Sequence, residues 1–109
     1  MNHDNNERWH EYDTMVADYL GAMTDARTAE RTLKARFAAL FMAFKNAKHG
    51  VEDAKQMVMT DNGYLDAWMQ ADTAAINEKA AKLRLDKFEM QLDVWRTKES
   101  TKRAAMTLR

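Results

Sequence analysis

The chain has no cysteine and no proline, and only three of its 109 residues are glycine: Gly21, Gly50 and Gly63. Without cysteine there are no disulfides, no thiolate chemistry and no cysteine-built zinc site. Without proline the strongest helix breaker is missing. Three scattered glycines make no phosphate-cradling loop, and neither a Walker motif nor a nucleophile elbow is present. No run of about 18 apolar residues occurs, so no membrane-spanning helix is expected. Histidine is confined to His3, His10 and His49, with no HExxH and no pair at i, i+4. His10 lies one helical turn from Glu7 and Asp13, the start of a metal or acid–base site that no further residue completes. These gaps predict no metal, no cofactor and no catalytic residue, hence a protein that is not an enzyme. The polar, acidic N-terminus does not read as a signal peptide, so a cytoplasmic location is expected.

What remains is rich in alanine, leucine, methionine, glutamate, lysine and arginine, all good helix formers. From Trp9 to Ala54 the chain holds a seam at steps of three and four: Trp9, Tyr12, Val16, Tyr19, Met23, Ala26, Glu30, Leu33, Phe37, Leu40, Phe44, Ala47, Val51, Ala54. Only Glu30 breaks it. Such spacing predicts a long helix burying one stripe against another helix. Asp4, Asn5 and Asn6 are candidate N-caps, and Asp4 with Glu7 has capping-box spacing, which starts the helix near residue 6. His49-Gly50 reads as a C-cap, ending it near residue 48. Residues 51–59 suit a short helix or a continuation, and Thr60-Asp61-Asn62-Gly63 is the strongest turn signal. A second long helix is expected over about 64–105, with the seam Ala67, Ala71, Ala74, Glu78, Ala81, Leu85, Phe88, Leu92, Trp95 and a neighbouring line Ile76, Leu83, Met90. The predicted fold is all-α: one domain, a long antiparallel helical hairpin resembling a coiled coil. A lone hairpin with one stripe per arm is marginal. Self-association into a helical oligomer is therefore expected, with Leu33, Phe37, Leu40, Phe44, Leu85, Phe88, Leu92 and Trp95 in the oligomer core.

Charge is balanced overall, 17 basic against 17 acidic, but unevenly placed. Residues 1–25 carry six acids against Arg8, net −5; residues 26–48 carry six bases against Glu30, net +5; residues 96–109 carry five bases against Glu99, net +4. An antiparallel fold sets the acidic N-terminus beside the basic C-terminus and leaves 26–48 unmatched. There Arg27, Arg31, Lys34, Lys45 and Lys48 fall on one side of the first helix, with Ala38 and Phe41 filling the gap. Cations interleaved with an exposed ring suit single-stranded nucleic acid, charge for phosphates and a ring for stacking; a solvated helix face explains the same pattern. Arg96, Lys102 and Arg103, after Trp95, form a second basic group, which the helix dipole alone also accounts for. The cluster Tyr64, Leu65, Trp68, Met69 reads either as a cap on the hairpin tip or as a protein-binding patch.

The block Phe88-Glu89-Met90-Gln91-Leu92-Asp93-Val94-Trp95-Arg96-Thr97, followed by Thr101-Lys102-Arg103-Ala104-Ala105-Met106, resembles the C-terminal end of small helical proteins of phage recombination gene clusters. More broadly the chain is loosely similar to UvsY-type recombination mediators. That resemblance implies a helical oligomer that binds single-stranded DNA and helps load a recombinase, with no functional residue carried over. Three functions follow as expectations. The first is a non-catalytic phage recombination accessory protein, binding single-stranded DNA, a recombination partner protein or both. The second is a phage-encoded module that binds and inhibits a host defence or replication protein. The third is a structural or secretion-type helical hairpin; the small secreted hairpin family usually has a Trp-x-Gly turn, and Asp61-Asn62-Gly63-Tyr64 here counts against that family.

Overall fold

A computed structural model describes residues 3–107, with side chains from residue 6 to residue 107. The backbone of the cap candidates Asp4 and Asn5 lies within α1, and the side chains of residues 3–5 and all of Leu108 and Arg109 lie outside the described residues. Three helices account for nearly all of the rest: α1 (His3–Asn46), α2 (Val51–Met59) and α3 (Asn62–Thr107). The fold is all-α, and α1 and α3 form a helical hairpin. No helix among the described residues is long and apolar enough to cross a membrane.

The helix ends explain where the sequence expectations were displaced. Asn6 lies inside α1, which already runs at His3. At its other end α1 closes on Lys48, not on a glycine. Lys48 has φ 68°, its N–H donates to the Lys45 carbonyl, and the His49 N–H donates to the Phe44 carbonyl. This is the paired bonding of a Schellman motif, and the Phe44 and His49 rings meet edge to face at 6.3 Å, supplying the apolar contact that usually accompanies it. Gly50 is the N-cap of α2, in extended backbone at φ −66° and ψ 164°. Two residues, Thr60 and Asp61, separate α2 from α3. The Asp61 carboxylate accepts the Tyr64 N–H at 2.9 Å, and its carbonyl accepts the Leu65 N–H. That cap absorbs Asn62 and Gly63 into the first turn and starts α3 two residues before Tyr64.

Packing gathers the chain into two compact units. A terminal unit combines the segment up to Leu20 with the segment from Lys79 onward, and a medial unit is Gly21–Glu78. In the terminal unit the pairing is antiparallel: Arg8 meets Trp95, Trp9 meets Arg96, Tyr12 meets Phe88 and Glu89, and Tyr19 meets Lys82. Its buried core is Ala81, Leu85, Phe88 and Leu92, all on the expected seam of α3. The opposing α1 side chains Tyr12, Val16 and Tyr19 are only half-buried, as one helix laid on another leaves them. In the medial unit Phe37 of α1 packs edge to face on Tyr64 of α3 at 5.9 Å. Its buried residues are Ala54 and Val58 of α2 and Ala67 of α3. The last turns of the Trp9–Ala54 seam therefore divide: Ala47 and Val51 are exposed, and Ala54 is buried on α2.

Candidate interaction surfaces

The expected basic stripe lies in the medial unit. Arg27 and Arg31 are exposed on α1, and neither forms an ion pair with a described residue. Lys34 is exposed but bound to Glu30, Nζ to Oε1 3.2 Å, one turn back on the same helix. Glu30, the polar break in the seam, thus faces solvent and a lysine of its own helix, not a partner helix. Lys45 is half-buried and donates to the His49 carbonyl at 3.4 Å. Lys48 lies past the end of α1 in left-handed backbone. Phe41 is half-buried and stacks on Phe37, ring centres 6.0 Å apart and planes 9° apart. Two free guanidiniums, the exposed Lys48 and one partly covered ring remain of the stripe, because i, i+4 bonding within the chain occupies Lys34 and Lys45.

The second basic group belongs to the terminal unit. Arg96 is committed on two sides: its guanidinium lies over the Trp9 ring at 5.1 Å and reaches Asp93 at 3.8 Å. Arg8 lies over the Trp95 ring at 4.9 Å, so the ends of α1 and α3 exchange an arginine and a tryptophan in both directions. Trp9 also meets Tyr12 edge to face. Sequence spacing could not show this clasp, since it pairs residues from opposite ends of the chain. Lys102 and Arg103 are exposed. The pairs Lys34–Glu30, Lys55–Glu52, Lys82–Asp86 and Arg96–Asp93 each lie within one helix. Lys82 is held to Asp86 at 2.7 Å, and that hydrogen bond and charge raise its pKa above the ordinary 10.5.

The expected oligomer-core residues split by helix. Leu85, Phe88 and Leu92 are buried within the single chain, and Trp95 is half-buried under Arg8. Leu33, Phe37, Leu40 and Phe44 are half-buried in the medial unit. The largest exposed apolar side chains are elsewhere. In the medial unit Leu65, Trp68 and Met69 follow one another at i, i+3 and i+4 on α3, exposed by 41, 50 and 60%, and Ile76 continues their line. Of the tip cluster only Tyr64 is folded inward, onto Phe37. The line Ile76, Leu83, Met90, expected to widen the α3 seam, instead faces solvent. A step of seven residues placed the three on one face, but not on which one. Among the described residues no group of three or more histidines or carboxylates is placed to hold a metal ion.

No protein-family model, curated protein or solved structure matches the chain significantly. The resemblance to phage recombination proteins therefore rests on its own residues.

Proposed function

We propose that this chain is a non-catalytic helical binding protein that docks onto another protein through Leu65, Trp68 and Met69. The observation that carries this reading is the half-exposed Trp68 between two exposed apolar neighbours on a capped helix. Tryptophan at the centre of such a patch is the residue type that most often dominates a protein interface, and contiguous exposed apolar groups are uncommon on monomers without a partner. Methionine beside it adapts to the surface it meets. A host or recombination protein fits the chemistry, as an apolar cleft that accepts an indole. The test is affinity for a partner isolated with the wild-type chain and then purified. Trp68→Ala should weaken binding about tenfold or more with unchanged far-ultraviolet circular dichroism; equal affinity of the two proteins sinks the reading.

Single-stranded DNA binding, the role of a recombination accessory protein, is the second reading. Arg27 and Arg31 favour it, exposed one turn apart with no acidic partner among the described residues, on the same helix as the stacked Phe37 and Phe41. Titration of a labelled oligonucleotide at low salt decides it. Arg27→Glu with Arg31→Glu should abolish binding, and an absence of binding by the wild-type chain removes the reading.

A further inference from the structure

In the terminal unit α3 is apolar on two faces. One, Ala81, Leu85, Phe88 and Leu92, is buried against α1. The other reads Ala80, Leu83, Lys87, Met90, Val94, at alternating steps of three and four. Leu83 is 68% exposed, Met90 69% and Val94 54%. At about 100° per residue this second line lies roughly opposite the first. A three-four line of that length is the seam of a helix–helix contact; Ala80 at its start is half-buried, and among the described residues Leu83, Met90 and Val94 stand exposed.

We propose that a second copy of this chain packs on this line, α3 against α3 in antiparallel orientation. The charges beside the line select both the partner and the direction. On one flank stand Lys79, Asp86 and Asp93; on the other, Arg84, Gln91 and Lys98. A parallel pair gains Asp93 beside Lys98 but sets Lys79 beside Arg84 and the two Lys87 side chains against each other in the seam, so the seam lysine decides. An antiparallel pair centred near residue 85 separates the lysines. Each Lys87 lies along Leu83 of the second copy, its methylene stem packing on the leucine and its ammonium reaching the second copy's Asp86. Ala80 faces Met90 of the second copy, small against large. Lys79 faces Asp93 of the second copy, twice about the twofold axis; the same register brings the two Asp86 side chains together, offset by Lys82 of their own helix and Lys87 of the other copy, and turns the two Arg84 side chains toward each other on the other flank. Asp86, held by Lys82 through Oδ1, takes a second cation there. Asp93, whose side chain is 77% exposed, has an intrahelical Arg96 contact of only 3.8 Å, which leaves it available.

Sedimentation equilibrium of the full chain across a concentration series tests this. A dimer mass is expected at high concentration. Leu83→Glu should return the chain to monomer with unchanged helicity, because Leu83 is exposed and outside the buried core. Asp93→Lys should weaken the dimer about tenfold, and Lys79→Glu added to it should restore most of the loss, since the reversed pair attracts again. A monomer at all concentrations, a dimer that survives Leu83→Glu, a mass above dimer, or a double variant no tighter than the single would each overturn the proposal. The line is independent of Trp68, so a failed dimer leaves the docking reading standing, and the reverse.

Discussion

Two residues hold backbone positions that another amino acid would fill better, and both are in or just after α1. Gly21 is an interior helical position, exposed, with nothing within 4 Å of where a Cβ would sit. Glycine there costs helix propensity without a steric reason. Lys48 is the reverse: the left-handed position that ends α1, where glycine is free and an L side chain pays about 1–2 kcal/mol. Gly21→Ala should raise stability by about 0.5–1 kcal/mol. Lys48→Gly should also stabilise, by about 0.5–1 kcal/mol after the entropy that glycine adds to the unfolded chain. Urea unfolding followed by circular dichroism reads both. A destabilised Lys48→Gly would mean that the contacts of the lysine outweigh its backbone strain. The position of this cap was not legible in the sequence. Glycine preference pointed to Gly50, whereas the apolar contact of Phe44 with His49 fixed the turn two residues earlier.

At the scale of elements the seam was the legible feature. Ala81, Leu85, Phe88 and Leu92 were assigned to it by spacing and are the buried residues of the terminal unit. Spacing could not say how the charged ends would be matched. Opposite net charges on the two termini suggested ion pairs, yet the ion pairs of Arg96 and Lys82 stay within α3, and the ends are joined by arginines over tryptophans. A guanidinium is weakly hydrated and planar, so it covers an indole and leaves its rim to solvent. A double-mutant cycle on Trp9→Ala and Arg96→Ala should give a coupling of about 0.5–1 kcal/mol, the range for an exposed cation over a ring. Additive single effects would mean that Arg96 is free for another partner, and would return it to the set of candidate phosphate contacts. For the medial stripe the same competition was invisible in sequence: Lys34 and Lys45 were counted as free cations, but each has an acceptor within four residues.

The two units differ in what they bury, and this sets an order of stability across the molecule. The terminal unit buries two leucines and a phenylalanine with one alanine; the medial unit buries two alanines and one valine. Each fully buried large side chain is worth about 1.5–3 kcal/mol and an alanine far less, so the medial unit has the smaller reserve against local opening. Lys82 adds to the terminal unit over the whole neutral range. The pair is exposed, so its contribution is small; its raised pKa means that, while Asp86 is ionised, the contribution is full up to pH 10.5 and fades only as pH climbs past the raised value. Backbone amides of residues 81–92 should therefore exchange with solvent more slowly than those of residues 67–78, although both lie in the same helix without a break. Amide hydrogen exchange at neutral pH, read residue by residue, measures the contrast. Equal protection along α3 would show that the helix opens as one cooperative body. Binding surfaces are commonly drawn from the less stable part of a protein, because ordering them on a partner is what tunes affinity. Trp68 and its neighbours stand in that part, and an added partner should slow exchange first in residues 64–78.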